Sequence, residues 1–531
     1  MLYSILVEGH LGEEKAIMID NEREYSYLQL HQQAMAILAY MRQQGICSGD
    51  RVMIENHNDG RTVTAILSCI AGGMIFVLVP EGCQEAERQY IMQDCSASMF
   101  LGLQNITNFK QTDDDITQKS NVEDAKGPGV TNAKEPSSEN GKGSYMENGG
   151  KSEWDGSGDV RDIVPESAGA YILYTSGTEG IRKGVLACQH QVIFCCNGIH
   201  SRLNYKETDK VLCSLPLEFD YGLYQVFLSL QSNTTLFLAG TAIIQMIPRQ
   251  LLDWQITIFP TVPSVVNLLL KLGYLNSEEL PFLRKITFTG EYLPVSLIKS
   301  LKKALPETEV IPMYGVTECK RIAVMPEGRE DKTMAGSCGL PLDGITVSLE
   351  GMDADGIGEL VVEGPNVMEG YWNNIKLPSN NANSGKNITN RFVINPNTGQ
   401  KTYRTGDLLS MDEEGFLYFR GRRNGLIKSR GYRISELEVE RIVQGIEGVV
   451  ECAVVGIPDE ICGERIGVCV YAQSREVLGS IVRVISQYTI YRNNYTIFAA
   501  QGLLPRNSNQ KIDKIKLKRM IYDKDRYFFW E

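Results

Sequence analysis

Residues 171–185 read "YILYTSGTEGIRKGV". The apolar run up to Tyr174 has the look of a buried strand, and a polar, glycine-bearing turn follows it. Arg182 and Lys183 close the turn. A strand, then Thr-Ser-Gly-Thr-x-Gly, then a cation is the grammar of a phosphate cradle. Glycines let backbone amides approach oxyanions, hydroxyls add donors, and the cation neutralises charge. Thr175, Ser176, Gly177, Thr178, Gly180 and Lys183 are the candidate contacts. The P-loop pattern G-x-x-x-x-G-K-[ST] is not matched. Taken alone, such a stretch is more often an ordinary turn.

Outward from this loop the text alternates. "AYILYT", "KVLCSLPL", "TTLFLAG", "ITIFPTVP" and "KITFTG" read as strands, with helix-like runs such as "YQVFLSLQ" and "PVSLIKSLKKAL" between them. Upstream, "YSYLQLHQQAMAILAYMRQQG" is of helix length and "RVMIE" is a short strand. This alternation predicts an α/β fold with parallel-rich sheets. From about Glu309 the text turns β-rich and Gly-rich, which predicts a smaller β-rich subdomain. After "RRNG" (422–425) a self-contained α+β pattern begins. The expected organisation is a large N-terminal domain over 1–422, made of two α/β subdomains and the β-rich one, and a small mobile C-terminal domain over 423–531. Asn424-Gly425 is the turn signal between them. Residues 105–162 are rich in Gly, Ser, Asn, Lys, Asp and Glu and poor in aliphatics, so they are expected to form a disordered insertion.

Bulk numbers exclude several classes. The chain has 531 residues and a formal charge of −12, so nucleic acid is a poor partner. Its 13 cysteines show no C-x-x-C pair, which reads as reduced thiols in a cytoplasmic protein. The five histidines are isolated, which speaks against a dedicated zinc site. "AILSCIAGGMIFVLV" (65–79) falls short of the roughly 20 residues of a membrane helix and contains a Gly-Gly break, so membrane insertion is not expected.

The loop has companions at wide spacing. "MYGVTE" (313–318) offers Tyr314, Gly315, Thr317 and Glu318. "TYRTGDL" (402–408) offers Asp407, "GRRNGLIKSRGYRISELEVE" (421–440) offers Arg422 and Lys428, and "LPRNSNQKIDK" (504–514) offers Lys511. Each alone reads as a surface turn or a solvated charge. In this order they resemble the superfamily of adenylate-forming enzymes: acyl-CoA synthetases, nonribosomal peptide synthetase adenylation domains and beetle luciferases. The family pattern runs Y-T-S-G-T-T-G-x-P-K-G-V, Y-G-x-T-E, G-E-L-x-x-x-G-x-x-V-x-x-G-Y-W, Y-R-T-G-D, G-R-x-D-x-x-I-K-x-R-G and G-K-I-D. The chain answers with 174–185, 314–318, "GELVVEGPNVMEGYW" (358–372), 403–407, 421–431 and "QKIDK" (510–514).

The resemblance implies an AMP-forming acid–thiol ligase that turns a small or medium carboxylic acid, an amino acid among the options, into an acyl-adenylate with ATP and Mg²⁺. A phosphopantetheine thiol then displaces AMP, with a carrier protein slightly favoured over free CoA. By the same resemblance Lys511 bridges the α-phosphate and the substrate carboxylate, Glu318 holds Mg²⁺ and Thr317 donates to the α-phosphate. Asp407 accepts from the ribose with Arg422 assisting, Gly290, Glu291 and Tyr292 pack against adenine, Lys428 serves the thioester-forming pose, and Asn424 is the hinge. Asp220, Tyr221, Tyr224, Thr289, Met313, Arg321 and Ile322 fall at pocket positions. Asp220 either pairs with a substrate ammonium or caps the helix after it, and Arg321 reads a polar substrate group, pairs with Asp220 or belongs to the scaffold. The alternative from another class is a non-catalytic adenylate-binding regulatory protein.

The chain departs from the pattern at four places. Glu179 stands where Thr or Ser is usual, Arg182 replaces Pro, Gln510 replaces Gly, and 488–500 lacks the common Met-x-Pro. Gln510 has no glycine-like freedom at positive φ, so the loop bearing Lys511 is expected to sit differently. A carboxylate in a triphosphate loop weakens ATP binding by repulsion unless Arg182 offsets it. Glu179→Thr should therefore lower the KM for ATP severalfold, about 1 kcal/mol for one screened charge pair. An unchanged or higher KM would assign Glu179 to an ion pair with Arg182 instead.

Overall fold

The computed structural model describes residues 1–20, 23–102, 164–175, 183–240, 244–372, 391–423, 425–429, 432–459, 463–487, 491, 494–507, 510–523 and 528–530. The 105–162 segment and the tip of the opening loop, 176–182, lie outside the described residues.

Local signals account for the first elements. The helix Tyr27–Gln43 starts in a capping box, with the Ser26 hydroxyl accepting from the Gln29 amide and the Gln29 side chain accepting from Ser26. The stretch 65–79 resolves into the end of a buried helix, Gly60–Gly72, and the strand Ile75–Pro80. Asp59 caps that helix through the Thr62 amide.

The N-terminal part is mixed α/β, built on two parallel-rich sheets. In one, Gly370–Tyr371, Lys183–Cys188, Gly169–Thr175, Ile75–Pro80, Arg51–Asn56 and Met99–Leu101 lie side by side. Gly169–Thr175 runs antiparallel to Lys183–Cys188 with Thr175 opposite Lys183. Thr175 ends the one strand, and Lys183 opens the return strand. In the other sheet, Met18–Asp20, Thr235–Leu238, Lys210–Cys213, Ile258–Thr261, Lys285–Phe288 and Glu309–Tyr314 are parallel neighbours. Their near-continuous burial is what a sheet covered on both faces requires. One continuous apolar core joins the two sheets and the helices on them.

A third, antiparallel sheet carries Thr346–Glu350, Gly358–Glu363, Lys401–Met411, Phe392–Ile394 and Leu417–Arg422. Arg422 ends its last strand, and Leu426 begins the first strand of a separate sheet with its own apolar core. That sheet joins Tyr432–Ser435, Leu426–Ser429, Gly463–Ala472, Val449–Asp459, Tyr495–Ala500 and Phe528–Trp530. Among the described residues no helix is long and apolar enough to cross a membrane.

Candidate active site

In open parallel sheets, ligands bind beyond the carboxyl ends of the strands. Here Lys285–Phe288 runs into Thr289, Gly290, Glu291 and Tyr292, and Glu309–Tyr314 runs into the loop 315–321. These two strand ends, the antiparallel sheet and the C-terminal domain enclose a cleft of roughly 1100 Å³. Fifteen of the residues singled out from the sequence line it: Lys183, Asp220, Thr289, Gly290, Glu291, Tyr292, Met313, Tyr314, Gly315, Thr317, Glu318, Arg321, Asp407, Arg422 and Lys511.

Lys511 arrives from the C-terminal domain. Its Nζ stands 4.9 Å from the centre of the Phe219 ring and 3.4 Å from where a Cβ on Gly290 would be. Gly290 has φ +90°, so a side chain there would be strained as well as crowded against Lys511. Burial is the main cause that pulls the Lys511 ammonium below the usual lysine range. The Lys511 loop is closed by its own bonds: its amide donates to Asn507 Oδ1 at 3.1 Å, and its carbonyl accepts from the Asn507 amide at 2.8 Å. Gln510 adopts φ +61°. Its carbonyl accepts from Arg506 Nη1 at 2.7 Å, and Arg506 is itself ion-paired with Glu451. Gln510 thus takes the left-handed region that the sequence reading reserved for glycine, and the surrounding bonds hold it there.

Asp407 lies opposite Arg422 in a cross-strand pair. One carboxylate oxygen accepts from Arg422 Nε at 2.9 Å and the other from the Tyr314 hydroxyl at 2.8 Å. Glu318 accepts from the Tyr371 hydroxyl at 2.7 Å, and Tyr371 contacts the Tyr403 hydroxyl at 3.2 Å. Lys183 Nζ lies 5.5 Å from the centre of the Tyr371 ring. These contacts set the glutamate, the lysine of the return strand and the antiparallel sheet around one tyrosine.

Other residues have partners that redirect the sequence reading. Glu291 accepts from the Ser264 amide at 3.0 Å and hydroxyl at 3.1 Å, which braces the helix Pro263–Lys271, and desolvation pushes its carboxyl up. Tyr292 stacks under the Arg441 guanidinium of the C-terminal domain at 4.1 Å. The Tyr221 hydroxyl donates to the Thr287 carbonyl at 2.8 Å, and the Tyr224 hydroxyl meets that of Tyr171 at 3.2 Å. Both tyrosines and Ile322 are fully buried, and the structure does not bring them to the cleft wall. Ser176, Gly177, Thr178, Gly180 and Asn424 lie outside the described residues, as do the side chains of Thr175 and Lys428.

At the acyl end of the cleft the structure corrects the capping reading of Asp220. The helix Asp220–Gln231 begins at Asp220 itself, with Phe219 as cap residue and no side-chain cap bond. The carboxylate instead faces Lys320, Nζ to Oδ2 at 3.5 Å, while the same ammonium donates to the Asp220 carbonyl at 2.7 Å. Lys320 is fully buried, 4.0 Å over the Tyr224 ring, and burial draws its pKa down to about 7. Arg321 does not pair with Asp220 and donates from Nη1 to the Thr289 hydroxyl at 2.6 Å. Lys320 and Phe219 were absent from the sequence reading. The signal for Lys320 was its place between Cys319 and Arg321, directly after the Thr-Glu pair, but nothing in the local pattern called for burial.

The AMP-binding enzyme family matches residues 9–372, and the AMP-binding enzyme C-terminal domain matches 438–511. The chain therefore belongs to the AMP-binding enzymes. It is 27% identical to a 2-succinylbenzoate–CoA ligase of Bacillus licheniformis over 96% of this chain and 98% of that one. It is 24% identical to an L-proline–[L-prolyl-carrier protein] ligase of Pseudomonas fluorescens, over 95% and 96%. The fold is that of ATP-bound MatB from Rhodopseudomonas palustris, with TM-score 0.79, 18% identity and 98% and 99% of the two chains covered.

Because the backbone at 510 already holds φ +61°, Gln510→Gly should leave carboxylate-dependent pyrophosphate exchange within about twofold and stability within about 1 kcal/mol, relief of strain offsetting added chain entropy. Exchange rates and urea midpoints check this. A tenfold change in exchange (about 1.4 kcal/mol) would mean that the Gln510 side chain itself acts.

Proposed function

We propose that the chain activates a small or medium carboxylic acid with MgATP and passes the acyl group to a phosphopantetheine thiol. The observation that carries this reading is Lys511, delivered by the C-terminal domain to a cleft already containing Thr317, Glu318, Asp407 and Arg422.

In the first step a carboxylate oxygen attacks the α-phosphorus of ATP. The phosphorus–oxygen bond to pyrophosphate breaks, and an acyl-adenylate forms. Two anions must meet, and a fixed buried cation is the cheapest way to bring them together. Lys511 suits that role, since its approach is fixed by the loop bonds at Asn507 and Gln510. Asp407, pinned by Arg422 and Tyr314, offers a fixed acceptor for the ribose hydroxyls. Among the described residues no cluster of three or more His, Cys, Asp or Glu side chains forms a metal cage. One carboxylate plus substrate phosphates is the ligand set Mg²⁺ favours, and Glu318, positioned by Tyr371, fits that need. Mg²⁺ there would neutralise charge on the phosphates.

In the second step a thiolate attacks the acyl carbon and AMP leaves with the bond electrons. The thioester-forming pose would use Lys428, which sits on the strand Leu426–Ser429 opposite Arg433, after the C-terminal domain turns about Asn424. Both pocket tyrosines are packed away from the cleft, and the preference for a carrier protein over free CoA is not carried further. The shared chemistry, a pantetheine thiol, is what the reading retains.

Lys511→Ala should reduce carboxylate-dependent pyrophosphate exchange by about 100-fold or more, as loss of a preorganised transition-state donor does. Lys428→Ala should leave exchange within a few-fold and slow thioester formation by at least about tenfold. The thioester assay is run in parallel with free CoA and with phosphopantetheinylated carrier protein, which separates the two acceptors. Unchanged exchange in Lys511→Ala sinks the mechanism, and equal loss of both steps in Lys428→Ala refutes the division of labour.

A further inference from the structure

The acyl end of the cleft gathers three cations, Lys320, Arg321 and Lys511. Glu218, Asp220 and Glu291 line the cleft there, and each is committed, Glu218 accepting from Asn56. Asp220 faces Lys320 at 3.5 Å, and Glu291 accepts two bonds from Ser264. Lys511 is assigned to the reacting carboxylate and the α-phosphate. Arg321 remains. It is 3% exposed, and its one hydrogen-bonded nitrogen, Nη1, donates to the neutral hydroxyl of Thr289 at 2.6 Å. Its Nε is buried without a hydrogen-bond partner among the described residues, and no carboxylate of those residues stands at ion-pair distance from it. The Tyr221 ring, centred 5.3 Å from the guanidinium carbon, holds the fork from one side.

A buried guanidinium without a counter-charge costs several kcal/mol, and proteins carry such a group where a ligand supplies the charge. The planar fork of arginine matches a carboxylate in two parallel bonds. An α-ammonium group near Asp220 would meet Lys320 already in place and Arg321 beside it.

We propose that the acid carries a second, non-reacting carboxylate, bound by Arg321 and Thr289 while Lys511 holds the reacting one; the inference rests on the ligase reading above. Arg321 bonds to Thr289 and Lys511 lies against Gly290, the next residue, so both cations border the same strand end. Arg321 and Thr289 act in recognition and take no part in bond making.

The test measures pyrophosphate release with matched pairs that differ only in the second carboxylate: butyrate and succinate, hexanoate and adipate, benzoate and phthalate, alanine and aspartate. At least one diacid should exceed its partner in kcat/KM by about tenfold or more, the scale at which a site built for a polar group rejects the analogue without it. Arg321→Met should lower that ratio by at least about tenfold, chiefly through KM for the diacid. Arg321→Lys, which keeps the charge and loses the fork, should fall between, and it serves where the methionine variant does not fold. A preference for the monoacid in every pair, or a ratio untouched by either substitution, overturns the proposal and leaves the ligase reading standing. Pyrophosphate release with none of the acids, fatty acids included, removes both together.

Discussion

The buried ammonium of Lys320 is the constraint on which the acyl end of the site depends. Its Nζ is held by the Asp220 carbonyl, the Asp220 carboxylate and the Tyr224 ring at once. To reach them the backbone enters the left-handed region at Lys320, φ +53°, a conformation that costs about 1 kcal/mol or more for a residue with a Cβ. That turn folds the Lys320 carbonyl back over residue 315, where any Cβ would overlap it, so Gly315 is required by a lysine five positions away. The tight loop between them carries Thr317 and Glu318, and Arg321 follows at its exit. The loop's shape is thus fixed from beneath by an ion pair that never needs to touch ATP.

A second set of contacts seats the C-terminal domain. Lys271 donates to the carbonyls of Val449 and Val450, the latter at 2.8 Å, and Asn267 donates to Val450 at 3.0 Å. Arg441 stacks over Tyr292, and Arg423 pairs with Glu359 at 2.8 Å. Burial draws the Lys271 ammonium down to about 8. These are polar and charged contacts at the rim, each exchangeable for water, and the domain keeps its own apolar core. The apolar area of each domain lies inside it, and these contacts between the domains are polar. The turn about Asn424 proposed above requires that property. Glu291 and Tyr292 matter here in a way the motif reading did not give: one braces the helix that bears Asn267 and Lys271, and the other receives Arg441.

Much of the fold was legible because alternation of helices and apolar strands is a local property. The helix ending at Gln43 and the helix and strand of 65–79 announce themselves within a few residues, whereas the β-rich text expected from about Glu309 opens with one more parallel strand, Glu309–Tyr314, and the antiparallel sheet begins only at Thr346. The candidate site was legible as short motifs at the ends of strands, and the fold brought fifteen of those residues to one cleft. Side-chain partnerships were not legible, because they are set by packing between distant segments. Asp220 and Lys320 are 100 residues apart, and Tyr371 and Glu318 are 53 apart. No sequence pattern separates a lysine that is solvated from one that is fully buried. Tyr221 and Tyr224 show the converse: a helix at a pocket position presents only part of its circumference to the cavity, and these two point their hydroxyls into the interior. Gln510 shows a third limit. A residue's conformational preference is worth about 1 kcal/mol, and the bonds of Gln510 to Arg506 and Asn507 outweigh it.

The electrostatics of the cleft have to be local. The chain carries a formal charge of −12, yet its substrates under the proposed reading are anions. Charges beyond about 8–10 Å are screened at physiological ionic strength, so the surface excess of carboxylates matters little inside. What matters is that each carboxylate at the cleft is held by a neighbour. Asp407 has Arg422 and Tyr314, Glu359 has Arg423, Asp220 has Lys320, and Glu436 and Glu440 share Lys514 at 2.9 and 2.7 Å. Pairing a carboxylate cancels most of its field at the distance of a bound anion, while the cations that approach the strand ends keep theirs. An acidic protein can therefore hold anions in a cleft of nearly balanced composition, because the order in which its charges are paired sets the field.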